Sequence, residues 1–138
     1  MEVNYFGLIG VTRGFAPVIV CNGGGSVANL LSVVSLASMP PAGGYSASKA
    51  AAWSATLSLR SDLAKQNIRV FAVFPSPIDI KMSKGFEFAK APAIDVADEV
   101  LAGITADTDD NFPHPLSKQV CAASNGNHKA VEKQFSSM

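Results

Sequence analysis

The 138-residue chain is apolar and carries little charge, which excludes several classes of protein. Hydrophobic residues make up 48% of it and charged residues 16%, and the formal net charge is zero. A balanced charge argues against nucleic acid or an acidic membrane surface as partner, because both attract a basic excess. Length and composition are sufficient for one domain over residues 1–138.

Smaller features predict a cytoplasmic protein with neither a membrane span nor a metal centre. Polar residues interrupt the apolar stretches, which argues against a membrane-spanning helix. The N-terminus has Glu2 and no basic run, unlike a secretory signal. Cys21 and Cys121 are far apart, as is usual for thiols in a reducing compartment. Neither His114 nor His128 has companions at metal-ligand spacing.

The hydrophobic pattern predicts helices alternating with strands. In chain order we expect a helix over 1–16, a turn at 22–25, a strand over 26–32, a loop over 33–44, a helix over 45–66, a strand over 68–74, an irregular connection over 75–93, a helix over 95–106 and one or two short helices over 116–135. Asp95 is the expected N-cap of its helix. The segment 107–115 is rich in Asp and Pro and therefore predicts a poor strand. The helix over 45–66 is apolar around most of its circumference, so we expect it to be buried on most sides.

Tyr45 and Lys49, at the start of that Ala-rich helix, can act together on a proton. Residues four positions apart lie on one helix face. A free Tyr titrates near pH 10, and an ammonium held close to the phenol lowers its pKa. Such a pair can give a proton to a carbonyl or take one from an alcohol near pH 7. Taken alone, the pair is also typical of an exposed helix start with a solvated Lys.

Further motifs at fixed spacing surround this pair. In chain order the motifs are Val3-Asn4-x-x-Gly7, Asn29-x-x-Ser32, Gly43-Gly44-Tyr45-Ser46-Ala47-Ser48-Lys49, and the strand 68–74 followed by Pro75. With them the chain resembles the short-chain dehydrogenase/reductase family from residue 1 to about residue 105. The family has a doubly wound α/β fold, so the resemblance implies a partial Rossmann-like parallel sheet.

The resemblance also implies an oxidoreductase and a role for each member of an Asn-Ser-Tyr-Lys tetrad. Tyr45 would be the acid in carbonyl reduction and the base in alcohol oxidation. Ser32 would donate a hydrogen bond to the substrate oxygen. Lys49 would lower the pKa of Tyr45 and hold the nicotinamide ribose. Asn4 would hold a water that links Lys49 to solvent.

The implied cofactor is NAD or NADP, and this chain lacks the segment that would decide between them. The expected cofactor-binding residues are Tyr45, Lys49, Pro75, Ser76 and Ile78. Two positions depart from the family, with Ser76 where Gly is usual and Ile80 where Thr is common. Both departures weaken the expected cofactor affinity, because Gly allows close backbone approach and a Thr hydroxyl can bind the cofactor.

The expected substrate is a small alcohol or carbonyl compound, contacted by Ser32, Val33 and Met39. Further apolar side chains in the surrounding loops indicate an apolar molecule: Val34, Ile80, Met82 and Phe86.

The chain has no Gly-rich turn between an early strand and a helix, where a pyrophosphate would bind. Gly23-Gly24-Gly25 precedes a strand instead of following one. We therefore expect the C-terminal part of a family member, forming a homodimer or tetramer through helices 1–16 and 45–66. Two alternatives remain: an inactive half-domain that only oligomerises, and a hydrolase using Ser32. Nothing like Gly-x-Ser-x-Gly surrounds Ser32, which disfavours the hydrolase.

Overall fold

A computed structural model of the chain describes residues 1–85 and 89–136. Phe86 and the side chain of Met82 lie outside the described part. The elements are a π-helical turn Glu2–Gly7, α1 Leu8–Cys21, β1 Gly25–Leu30, α2 Gly43–Ala64, β2 Ile68–Val73, α3 Ala93–Thr105, β3 Asp110–Asn111 and α4 Pro115–Ser136, with 3-10 turns at Val33–Ser35, Pro40–Ala42 and Lys81–Ser83.

The strands form one parallel sheet in the order β1-β2-β3. Gly25 pairs with Ile68 and Leu30 with Val73 along the full length of β1 and β2. β2 is buried on both faces, whereas β1 is an edge strand among the described residues and is largely exposed. Parallel strands joined by helices confirm the predicted α/β, Rossmann-like class.

The segment 107–115, predicted to be a poor strand, forms only the two-residue strand β3 at Asp110–Asn111, which pairs with β2. Two arginines account for this. Arg60 on α2 forms an ion pair of 2.7 Å with Asp110 and donates to the Asp109 carbonyl. Arg69 on β2 binds the carboxylates of Asp107 and Asp109. These cations offset the repulsion of the acidic run, and they lie 38 to 50 residues earlier in the chain.

Several helix and strand ends also differ from their predicted positions. The first helix continues past residue 16 to Cys21, where Gly23 and Gly24 follow with φ of +90° and +105° and end it. The strand predicted over 26–32 is β1, which ends at Leu30. Asp95 lies in the first turn of α3 and is not its N-cap, because α3 starts two residues earlier, after Pro92. The C-terminal segment is one helix kinked at Asn127, in agreement with the prediction.

The core lies where α1 and α2 pack against the sheet. One cluster joins these helices to β2 through Ala16, Leu59, Leu63, Ile68 and Val70. A second joins the centre of α2 to the strand ends through Leu31, Ala52, Ala72 and Phe74. α2 buries only the face that includes Ala52 and Leu59, and Leu57 on another face is 45% exposed. The expectation of burial on most sides is therefore wrong for this chain by itself.

The helix Glu2–Cys21 is long and apolar enough to cross a membrane by length and composition alone. Only 11% of its apolar window is buried in this chain. A helix that packs in the core or between subunits of a soluble protein has the same composition, so this single helix is weak evidence for a span. Across residues 1–85 and 89–136, no group of three or more His, Cys, Asp or Glu side chains is placed to hold a metal ion.

Gly103 allows α3 to approach β3 closely. A Cβ at this position would lie 1.5 Å from Oδ1 of Asn111, whose own amide donates to the Thr108 carbonyl. We expect Gly103→Ala to lower the free energy of unfolding by about 2 kcal/mol through overpacking. The matched control is Gly14→Ala on α1, where a Cβ meets nothing within 4 Å. Urea unfolding of both variants tests this, and equal stabilities would contradict the close approach.

Candidate active site

The ends of β1 and β2 bring the predicted site residues to one edge of the sheet. Beyond the paired strands, the Leu31 amide donates to the Val73 carbonyl at 2.8 Å, and the Val33 amide donates to the Pro75 carbonyl at 3.1 Å. These bonds hold Ser32 beside the loop that follows β2. In open parallel sheets this carboxyl edge is where ligands bind.

Ser32 is held by the turn that it starts. Its backbone is extended, and its Oγ accepts a hydrogen bond of 3.3 Å from the Val34 amide, so it caps the 3-10 turn Val33–Ser35. The Ser32 side chain also lowers the pKa of Tyr45 through a hydrogen bond. Two of the predicted tetrad residues therefore interact, although they are thirteen residues apart in the sequence.

Tyr45 lies in the first turn of α2 and packs against the apolar cluster formed by the Val33–Ser35 turn and α4. Burial raises the pKa of Tyr45 above its ordinary value of 10.0, and the hydrogen bond from Ser32 opposes that rise. The phenol is therefore held in its protonated form at neutral pH, in which it can act as a proton donor.

Lys49 lies one turn along α2 from Tyr45. Its Nζ donates a hydrogen bond of 2.8 Å to the Leu30 carbonyl and lies 5.8 Å from the centroid of the Tyr45 ring. Burial lowers the pKa of Lys49. The expectation that Lys49 lowers the Tyr45 pKa is not met, because the lowering contribution comes from Ser32 and burial outweighs it. The physical reason for the missing effect is that the Lys49 ammonium is directed to the Leu30 carbonyl at the end of β1.

Asn4 lies in the π-helical turn and reaches α2 directly. Its Nδ2 donates a hydrogen bond of 3.0 Å to Oγ of Ser48, and that hydroxyl donates to the Tyr45 carbonyl at 2.7 Å. Asn4 is thus connected to the backbone of Tyr45 through Ser48, which is only 2% exposed. The water between Asn4 and Lys49 stays a prediction.

Ser32 and Tyr45 line a cavity of about 610 Å³. The other predicted substrate residues, Val33 and Met39, line it as well. Its far wall comes from the C-terminal helix α4, which contributes Leu116, Val120, Gln134 and Phe135. The structure therefore brings together all three predicted substrate residues.

A second, more open space lies along β1. This groove of about 970 Å³ is bounded by the exposed edge of β1 and the apolar side of the first helix, and Asn4 and Lys49 also line it. Val11 and Phe15 line it too and are 62% and 60% exposed. The tetrad is thus divided, with Ser32 and Tyr45 on the first cavity and Asn4 and Lys49 on the more open groove.

The predicted cofactor residues after β2 occupy different surroundings. Pro75 is bonded to Val33 through its carbonyl, and Ile78 forms an isolated bridge with Ala91. Ser76 is buried, and its hydroxyl lies 3.4 Å from Nδ1 of His114. The Ser76 side chain is therefore engaged within the protein. Lys49 and the backbone of this loop could hold the nicotinamide end of a dinucleotide. None of the three described strands leads into a Gly-rich turn for the pyrophosphate.

Sequence reasoning missed several residues of this site. Ser48 had a usable signal, because it is a small polar residue one helical turn after Tyr45. His114 and the α4 side chains had none, since they follow β2 by about forty residues or more and no local pattern connects them to Tyr45.

Comparison with known proteins agrees with this geometry. A family model for short chain dehydrogenases matches residues 1–90, the part that contains Asn4, Ser32, Tyr45 and Lys49. The chain belongs to the short-chain dehydrogenase family. A "dehydrogenase/reductase SDR family protein 7-like" from Anopheles gambiae is 30% identical over 131 residues, 85% of this chain and 41% of the relative. Its namesake from Drosophila melanogaster is 37% identical over 83 residues, 60% of this chain and 26% of the relative.

Solved structures of short-chain dehydrogenases share the fold. The enzyme from Burkholderia cenocepacia, solved with NADP, superposes with a TM-score of 0.92 at 32% identity, covering 98% of this chain and 56% of that one. A Burkholderia phymatum member, solved with NAD, has a TM-score of 0.75 at 23% identity and shows the fold alone. The chain thus spans about half the length of these structures and less than half of both insect relatives.

Proposed function

We propose that this chain carries the acid/base centre of an NAD- or NADP-dependent oxidoreductase that interconverts a small alcohol and a carbonyl compound. The observation that carries the proposal is that Ser32 and Tyr45 line the same cavity, where the Ser32 side chain also lowers the pKa of Tyr45. A carbonyl oxygen placed between these two hydroxyls would accept hydrogen bonds from both. Donors directed at a developing oxyanion are among the largest contributions to catalysis.

Tyr45 is the proposed proton donor in reduction and the proton acceptor in oxidation. Its raised pKa favours the donor role at neutral pH, because the phenol stays protonated there. Oxidation needs the phenolate, so it is expected to increase as the pH rises into the alkaline range. Without substrate, the Ser32 hydroxyl bonds Tyr45 and favours its phenolate form. With substrate bound, the same single proton is donated to the substrate oxygen instead.

Lys49 and Asn4 have proposed supporting roles on the groove side. The Lys49 ammonium is fixed by the Leu30 carbonyl, close to where a nicotinamide ribose would lie in this family. Asn4 fixes the start of α2 through Ser48. Both line the groove and can reach solvent there, which is consistent with a proton path away from Tyr45.

The proposed cofactor would be held at its nicotinamide end by Lys49 and by the loop that begins at Pro75. When bound, the nicotinamide supplies the hydride chemistry. Because Ser76 bonds with His114, this loop would contact the cofactor through its backbone at that position.

Ketone-dependent oxidation of NADH or NADPH, followed by absorbance at saturating cofactor, tests the proposal. The 138 residues contain no Gly-rich pyrophosphate turn, so we expect a dissociation constant of about 1 mM or weaker for either cofactor. Calorimetric titration measures this directly, and micromolar affinity would contradict our account of the cofactor end. No ketone-dependent oxidation at any cofactor concentration would favour the inactive half-domain.

A further inference from the structure

The cavity beside Ser32 and Tyr45 is lined mostly by apolar residues. Of the described residues that form it, none carries a formal charge. Most are aliphatic or aromatic, and the polar side chains apart from Ser32 and Tyr45 are Ser83 and Gln134. The lining therefore offers few polar partners to a molecule bound there.

Ser83 is occupied by its own loop. Its hydroxyl lies 2.6 Å from the Ile78 carbonyl and 2.9 Å from the Ile80 carbonyl, to either of which its one proton can be donated, and it accepts from the Ile80 amide at 3.2 Å. A ligand that needs several hydrogen bonds would have to disrupt these contacts. Sugars and nucleotides are such ligands, because each buried polar group left without a partner weakens binding.

The kink in α4 encloses the far side of the cavity. Asn127 leaves the helical conformation with φ −156° and ψ 86°, and its Oδ1 accepts from the Ala130 amide, which starts the second half of the helix. Leu116, before the kink, and Phe135, after it, both line the cavity. Val131 is fully buried among the core residues that adjoin the cavity, so this wall is a packed part of the fold.

We propose that the cavity selects neutral, largely apolar ketones and the corresponding secondary alcohols, and rejects carboxylates and polyhydroxylated compounds. This deepens the proposed function and rests on it for the chemistry at the carbonyl. At about 610 Å³ the cavity holds a substituent with one or two rings. Only the carbonyl oxygen needs hydrogen bonds, and Ser32 and Tyr45 supply them. A carboxylate would lose its hydration without gaining a cation from any described residue of the lining.

The test is direct binding without cofactor, with two probes that differ by one charge. Acetylnaphthalene is the neutral ketone and acetylnaphthoate its carboxylate analogue, and naphthyl fluorescence reports saturation. We expect the neutral ketone to bind about tenfold more tightly. Leu116→Lys introduces a cation into the cavity wall and should remove or invert that preference. Met39→Lys repeats the test at a lining residue outside α4, and a cooperative thermal transition shows that each variant folds.

The matched control is Val11→Lys, which places the same cation in the groove beside β1. It should leave the preference for the neutral ketone unchanged. The proposal is overturned if the carboxylate binds equally or better, if neither probe saturates, or if Val11→Lys alone changes the preference.

The outcomes separate this proposal from the proposed function. Saturable, selective ketone binding with no oxidation of NADH or NADPH would contradict the proposed oxidoreductase activity and support the proposed selectivity of the cavity. Cofactor-dependent reduction that favours acetylnaphthoate would support the proposed oxidoreductase activity and contradict the proposed selectivity for apolar ketones.

Discussion

Replacing Tyr45 by Phe is expected to reduce ketone turnover by about 100-fold or more. The substitution removes the hydroxyl that hydrogen-bonds Ser32 and keeps the ring that packs against the cluster beside α4. Binding of the neutral ketone should change little, because most of the cavity lining is untouched. Steady-state rates of NADPH and NADH oxidation, together with probe binding, separate the two effects.

The pH dependence supplies an independent control. In the unmodified chain, alcohol oxidation should rise as the pH approaches the raised pKa of Tyr45, and carbonyl reduction should fall over the same range. Residual activity of Tyr45→Phe should lack this dependence. Lys49→Met should also lose most turnover, because Lys49 is proposed to hold the nicotinamide end of the cofactor. If Tyr45→Phe kept most of its turnover, Tyr45 could not be the acid/base residue.

The second large effect concerns assembly, and we expect the 138-residue chain not to be a monomer at micromolar concentration. The face formed by the first helix and β1 exposes Val3, Phe6, Val11, Phe15 and Leu30, each more than half exposed. β1 is also an unpaired edge within the described sheet. An apolar face beside an open strand edge recruits other chains, and zero net charge does not oppose that. We propose dimerisation through α1 and α2 or association through β1.

Light scattering after size-exclusion chromatography should give at least twice the mass of one chain. The double variant Val11→Lys, Phe15→Lys should shift the population towards monomer, because two cations are placed in the groove. The control Ile94→Lys, Leu101→Lys changes two apolar residues of α3 that are 67% and 61% exposed, and it should leave the mass unchanged. A monomeric starting chain with a cooperative thermal transition would show that this face does not drive assembly.

Local patterns in the sequence were sufficient to predict the elements whose formation depends mainly on their own residues. β2 is apolar except for Arg69; it starts at its predicted residue and ends one residue early. α2 combines Ala-rich composition with Gly43-Gly44 and begins two residues before its predicted start. The family was also evident from sequence, because the tetrad spacing reflects the distances between the end of β1 and the first turns of α2.

Tertiary structure decided the features that depend on residues distant in the chain. β3 forms in an acidic segment because Arg60 and Arg69 neutralise it from α2 and β2. The Tyr45 pKa is raised because burial against α4 and the adjoining turn outweighs the hydrogen bond from Ser32, a balance that spacing does not express. The cavity wall comes from α4, some seventy residues after Tyr45. Sequence alone therefore determined the fold family and the candidate acid/base residues, while packing between distant segments determined their protonation and the cavity that a substrate would enter.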